Sequence, residues 1–192
     1  YPLIELDLRL NDRIVDLVAE RVDVALRVGP IRQAGLAARR VSQVNIVTCA
    51  APAYLQDHGE PQTPDELRDH KLVGLTSPSG APPEWTFPPP YTPKRLGLKF
   101  AMLFNSAEAP IIAATAGLGI THTGDLLVAE YVGRGELKLI LEDFVLPGPP
   151  ISLVYPSAGH QLAKVRVFSD FAADLLLRWN VEVRRWIKQP PR

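Results

Sequence analysis

The stretch from Arg95 to Leu141 reads RLGLKFAMLFNSAEAPIIAATAGLGITHTGDLLVAEYVGRGELKLIL. Arg95 to Phe104 is patterned as a strand. Asn105-Ser106 gives a helix start, and Gly117 a stop. Pro110 sits just inside that helix and can delay its start from Asn105-Ser106 to Ala109. Leu118 to Thr121 reads as a second strand. Asp125 to Val132 reads as a second helix, ended by Gly133, and Glu136 to Leu141 as a third strand. Strands alternating with helices in this order predict an α/β architecture.

Working outward, the N-terminal part carries a similar alternation. Ile4, Leu6, Leu8 and Leu10 alternate with Glu5, Asp7 and Arg9, which predicts a strand with one dry face. Asn11 or Asp12 then caps a helix whose apolar positions are Ile14, Leu17, Val18 and Val22. Asp23 to Val28 is a short apolar strand closed by Gly29-Pro30, so 4–28 reads as a strand–helix–strand unit of a parallel sheet. Val44 to Ala50 is a further strand, Pro52 opens a short helix that stops near Gly59, and Thr63-Pro64-Asp65-Glu66 opens another. Lys71 to Thr76 and Ile151 to Tyr155 are strands. Between Pro78 and Pro93 lie seven of the 19 prolines, together with Trp85, Phe87 and Tyr91. That density excludes a continuous helix or central strand, and the segment reads as loop with an edge strand at 85–87. A closing helix places Leu162, Val165, Phe168, Ala172, Leu175, Leu176 and Trp179 on one face, and 181–192 reads as a frayed tail.

Two α/β lobes follow: 1–74 with 156–180, and 75–155. The strands at 71–76 and 151–155 are the expected hinge pair. The 192 residues are enough for two such lobes, and 46% hydrophobic with 22% charged residues is an ordinary globular composition. Lys+Arg 21 against Asp+Glu 21 leaves no basic excess with which to grip a phosphate backbone. A single cysteine, Cys49, excludes an internal disulfide. No basic and apolar leader opens the chain, and no apolar run is long enough to span a membrane, so a cytoplasmic protein is expected. The chain opens directly on a strand pattern and is expected to be part of a longer protein.

No catalytic motif is found: no Gly-x-Ser-x-Gly, no phosphate-cradling Gly-Lys-Ser/Thr and no paired-histidine helix. His58 and His70 sit in polar settings and read as solvated, and Cys49 reads as a buried inert thiol. Ligands of open α/β sheets bind beyond strand C-termini beside helix N-termini. Four junctions qualify: Leu10-Asn11-Asp12, Arg27-Val28-Gly29-Pro30, Asn105-Ser106, and the turn Thr121-His122-Thr123-Gly124. Asn11, Asp12 and Ser106 also fit plain helix caps, and Arg27 an ordinary surface arginine. Pure packing accounts poorly for His122 and Thr123 between an apolar strand and a helix. Trp85 reads as packing on its own loop.

The ordered set of motifs resembles one family. Ile4 to Leu8 followed by Asp12 to Gly29, then Ala37-Ala38-Arg39-Arg40, Cys49 to Leu55, Trp85-Thr86-Phe87, Asn105 to Ala109, Ala116 to Ile120 and Val154-Tyr155-Pro156 look like the effector-binding domain of LysR-type transcriptional regulators. The resemblance runs from Tyr1 to about Trp179. It implies a two-lobed type 2 periplasmic-binding-protein fold, hinged by two crossing strands, that closes on a small-molecule effector without catalysis and without a cofactor or metal. It further implies self-association as a homodimer or tetramer, with the helix 107–116 and the strand 4–10 as interface candidates. DNA contact would come only through an upstream helix-turn-helix. The domain's own first strand and helix would also lie upstream, leaving the strands at 4–10 and 23–28 without a shared neighbour. By position, the effector pocket would comprise Leu10, Asn11, Arg27, Val28, Gly29, Pro30, Asn105, Ser106, His122, Thr123 and Gly124. The family commonly has proline at Gly124 and apolar residues at His122 and Thr123, which bears on ligand class rather than fold. A transporter's solute-binding protein of the same clamshell fold is the alternative.

Overall fold

The computed structural model describes residues 4–10, 14–31, 33–77, 79–159 and 162–188. The chain forms two compact units, Tyr1–Gln43 with Pro149–Asn180, and Val44–Gly148 with Val181–Arg192. The strands that carry the chain across this division are β2 (Leu36–Ala50) and β7 (Leu146–Pro156). Residues 71–76, the expected first hinge strand, lie wholly inside the second unit, and so do 44–70, which the expected lobe limits gave to the first. The reason is the length of β2: its 15 residues run unbroken through the division.

In the first unit, β1 (Ala25–Val28) pairs antiparallel with β7, Ala25 opposite Val154 and Val28 opposite Ile151. β7 lies between β1 and β2. Its Ile151 to Tyr155 are buried without a break, as in a strand covered on both faces. The strand expected at 4–10 does not form. Leu6, Leu8 and Leu10 are 70%, 79% and 89% exposed. Alternation marks a potential dry face, but a strand exists only with a ladder partner, and β1 finds its partner in β7. The helix expected over 14–22 shrinks to one turn at Leu17–Arg21. Asp16 starts it, its carboxylate accepting from Val18 N at 2.9 Å and Ala19 N at 3.1 Å. Asn11 and Asp12, the expected caps, lie outside the described residues. The strand–helix–strand reading of 4–28 is thereby corrected to a turn followed by an antiparallel strand.

In the second unit, the end of β2 is the central strand. It pairs antiparallel with β5 (Thr121–Gly124) on one side and β6 (Lys138–Ile140) on the other, Cys49 standing opposite both Thr121 and Leu139. Val47 and Cys49 enter a cluster with Ile111, Ala114, Val128 and Val132. Ala50, on the alternate face, enters a second cluster with Tyr54, Leu67, Trp85 and Phe87. Both faces of β2 are thus dry. The helices covering them are α1 (Pro52–His58), α3 (Ala109–Thr115) and α4 (Asp125–Gly133). A separate parallel pair, β3 (Val73–Leu75) with β4 (Met102–Phe104), lies under α3.

Several expected elements shift in the second unit. The strand expected over 95–104 is cut to β4, because Thr92-Pro93 opens a single helical turn, α2 (Pro93–Leu96), with Thr92 Oγ1 accepting from Arg95 N at 3.2 Å. The helix at Pro64–Asp69 is a 3-10 helix. No strand forms at 85–87. α3 begins at Ala109, where Pro110 presets its first turn. The last helix, α5 (Ala163–Lys188), continues through most of the expected tail. Val165, Ser169, Ala173 and Val183 of α5 are buried; of the expected apolar face Val165 is buried, Phe168, Ala172 and Leu176 are half-buried, and Leu162, Leu175 and Trp179 are exposed.

Gly119 marks the tightest approach of backbone to backbone. A Cβ there would stand 2.5 Å from the Lys71 carbonyl oxygen. That same oxygen accepts from Ile120 N at 2.9 Å, and the Ile120 carbonyl accepts from Val73 N at 2.9 Å. Gly119→Ala is expected to destabilise the chain by about 1–3 kcal/mol, the usual cost of overpacking. A urea-unfolding midpoint equal to that of the parent chain would contradict this.

Candidate functional site

The polar tetrad 121–124 is a strand rather than the expected turn. The edge of β2 supplies its ladder: Thr48 faces His122, Val47 faces Thr123 and Ile46 faces Gly124. Cross-strand pairing brings Thr48 Oγ1 to 2.9 Å from His122 Nδ1. The proline-rich segment supplies two aromatic walls. The Phe87 ring centroid lies 4.7 Å from that of His122, and the Trp85 centroid 5.1 Å. Trp85 also packs edge-on against Phe100 at 5.3 Å, so it is not confined to its own loop.

His122 retains some exposed surface, but Nε2 is buried and makes no hydrogen bond among the described residues. Burial pushes the imidazole down to about 4, weakly opposed by the approach of the Thr86 backbone. At neutral pH the ring is therefore uncharged. Its tautomer is set by whether Thr48 donates to Nδ1 or accepts from it. Nε2 thus makes no well-formed hydrogen bond among the described residues, although the Thr86 backbone approaches the ring closely enough to favour its protonation. Thr123, on the opposite face of β5, is half-buried. Gly124 is buried, and a Cβ there would meet Val44 Cγ1 at 2.8 Å.

Asp125, next in sequence, opens α4. It is almost fully buried. Its carboxylate accepts from Asn45 N at 3.1 Å, Asn45 Nδ2 at 2.7 Å and Leu126 N at 2.9 Å. It locks the junction of β5 and α4 to β2 and so fixes the strand that carries His122.

Asn105 and Ser106 follow β4 and are exposed. Neither caps α3, whose N-cap position is Glu108 with no side-chain bond. Arg27 is half-buried and engaged: one guanidinium nitrogen donates to the Val15 carbonyl at 2.5 Å and another reaches Gln33 Oε1 at 3.4 Å. Its visible role is to tie the Leu17–Arg21 turn to β1. Val28 and Pro30 are exposed, and Gly29 N donates to the Pro150 carbonyl at 2.9 Å. Leu10 is exposed, and Asn11 lies outside the described residues. The first unit thus carries Leu10 and Arg27 to Pro30, and the second carries Asn105, Ser106 and His122 to Gly124.

His58 is exposed, as expected, whereas His70 is half-buried. His58 stacks on Tyr54 at 4.2 Å, and His70 Nδ1 lies 3.3 Å from the Tyr54 hydroxyl. Burial, then the charge of His58, hold His70 below its usual range. Cys49 is fully buried, which pushes its thiol up to about 12 and keeps it protonated at neutral pH. Among the described residues no cluster of three His, Cys, Asp or Glu could hold a metal. No described helix is long and apolar enough to cross a membrane.

Residues 1–176 match the LysR substrate binding domain. The chain belongs to that family, and its fold is the type 2 periplasmic-binding-protein kind of LysR regulatory domains. An HTH-type transcriptional regulator of Escherichia coli K12, YhjC, is 32% identical over 189 residues, 92% of this chain and 59% of the relative. The regulator CrgA of Neisseria meningitidis is 30% identical over 177 residues, 92% of this chain and 58% of the relative. The chain therefore spans a little under three fifths of these relatives. The regulatory domain of CrgA superposes with a TM-score of 0.82 at 30% identity, covering 92% of this chain and 86% of that one. The effector domain of AmpR from Pseudomonas aeruginosa, 19% identical, shares the fold at a TM-score of 0.70 over 94% of this chain and 86% of its own.

Proposed function

We propose that this chain is the ligand-sensing domain of a cytoplasmic LysR-type transcriptional regulator. It binds a small-molecule effector through Leu10, Asn11, Arg27 to Pro30, Asn105, Ser106 and His122 to Gly124. The family match over residues 1–176 carries this reading, since relatives on both sides of the comparison bear the names of regulators. Binding must favour one arrangement of the domain over another, because a ligand with equal affinity for both shifts nothing. The shift reaches DNA through a helix-turn-helix and through pairing of the domain with copies of itself, as a homodimer or tetramer. With its balanced charge, this chain senses rather than grips the nucleic acid.

Of the residues assigned to the effector, His122 Nε2 and the side chains of Asn105 and Ser106 make no hydrogen bond among the described residues. With the Thr123 hydroxyl, they are the polar groups that would read a ligand. A thermal-shift screen of small metabolites tests the proposal. A hit at about 100 times its Kd stabilises the chain by about 2.7 kcal/mol. Ser106→Ala and His122→Ala are each expected to weaken that hit at least about tenfold, the loss of one buried polar contact. A hit whose affinity both variants leave unchanged overturns the assignment.

A further inference from the structure

We propose that the first unit holds a second small-molecule site, selective for a compact organic monocarboxylate. A cavity of about 240 Å³ opens where β2, β7 and α5 meet, lined by Arg39, Tyr155, Val165, Arg166, Ser169 and Asp170. All six belong to the first unit, and none is among the effector residues assigned above.

The case begins with Ser169. The buried stripe of α5 runs Val165, Ser169, Ala173, one residue per turn, and a hydroxyl stands where the pattern calls for an apolar side chain. A serine inside a helix ordinarily returns its hydroxyl to the carbonyl four residues back. Ser169 does not: its Oγ is buried and makes no hydrogen bond among the described residues, although it lines the cavity. A buried hydroxyl without a protein partner is costly, and on the cavity wall Ser169 Oγ is placed to bond whatever fills that space.

Charge then narrows the ligand. Arg39 is held by Asp170, Nη1 to Oδ1 at 2.5 Å. Arg166 makes no ion pair among the described residues, so its planar fork is open to the bidentate pairing that carboxylates accept. Two guanidiniums and one carboxylate leave a surplus of one positive charge. A single carboxylate completes that balance, with Arg166 pairing its oxygens and Ser169 donating to one of them. A dianion such as phosphate would instead bring a second negative charge toward Asp170. Val165 gives the wall for an apolar body. The volume lies below the roughly 300–1,000 Å³ of sites for larger ligands, which limits that body to a short chain or one ring.

The test uses the whole chain in isothermal titration with acetate, butyrate, benzoate and phenylacetate, and inorganic phosphate as the competing anion. At least one carboxylate is expected to bind saturably with a Kd of about 1 mM or tighter. Arg166→Ala is expected to weaken it at least tenfold, and Ser169→Ala several-fold. Arg166 is exposed and the Ser169 hydroxyl lacks a partner, so both variants fold, and Ser169→Ala leaves the melting temperature unchanged or raised. His122→Ala leaves this binding intact, which separates it from the effector site. Saturable binding by none of the four, binding insensitive to Arg166→Ala, binding lost in His122→Ala, or tighter binding of phosphate overturns the proposal.

Discussion

Asp125→Ala is expected to lower the melting temperature by about 6–12 °C. The carboxylate satisfies two donors of Asn45 and the backbone of Leu126 at the start of α4. Alanine leaves those donors without their acceptor in a site where Asp125 itself is nearly inaccessible to water. Each stranded donor costs about 1–3 kcal/mol when fully buried. Asn45 is only half-buried and recovers part of this from solvent, and removing a buried charge returns part of its desolvation cost, leaving about 3 kcal/mol. For a chain of this size each kcal/mol moves the midpoint by about 2–4 °C. Asp125→Asn, which keeps one acceptor oxygen, is expected to lose less than half as much. Calorimetry that finds the alanine variant within about 3 °C of the parent chain contradicts this account.

Stability is also expected to fall as the medium is acidified from neutrality, and His122 is expected to account for much of the fall. Its imidazole titrates near 6.5 when unfolded and at about 4 when folded. Between those values the unfolded chain binds the proton and the folded chain does not. Stability is therefore fully present above pH 6.5 and lost progressively as pH drops toward 4. At about 1.4 kcal/mol for each tenfold difference in proton affinity, the loss from this residue approaches about 3 kcal/mol. The groups against the ring are Thr48, the Thr86 backbone, Trp85 and Phe87, none of them charged. Urea midpoints measured at about pH 7.5 and about pH 4.5 check the expectation: His122→Gln should lose markedly less than the parent chain between the two conditions. Parallel losses would remove His122 from the explanation.

The helices of the second unit were legible because their signals are local. Asp125 marks the start of α4, whereas Asn105-Ser106 signals a start for α3 that Pro110 moves to Ala109. The misread elements depend on partners that one segment cannot announce. Leu6, Leu8 and Leu10 alternate as a strand should, yet alternation supplies no ladder. The opposite error occurred at Thr121 to Gly124: four polar or small residues look like a turn until β2 offers them an edge. Residues 36–43 hid the first half of β2 because Arg39 and Arg40 interrupt any apolar pattern, while β7 alongside makes it a strand. At the site, His122 and Thr123 were picked out by their oddness between apolar neighbours. Asp125 escaped because an acid in a helix's first turn is usually solvated, and nothing in the sequence reveals that Asn45 arrives from 80 residues away. Ser169 escaped because an apolar count over α5 passes over a hydroxyl.

The proline-rich segment that walls His122 contributes rings but no strand. Sheet register therefore does not constrain what stands at positions 85 and 87. Both rings are also buried in the cluster around Tyr54 and Leu67, so exchanging either alters the volume and polarity around Nε2 only at a cost to that core.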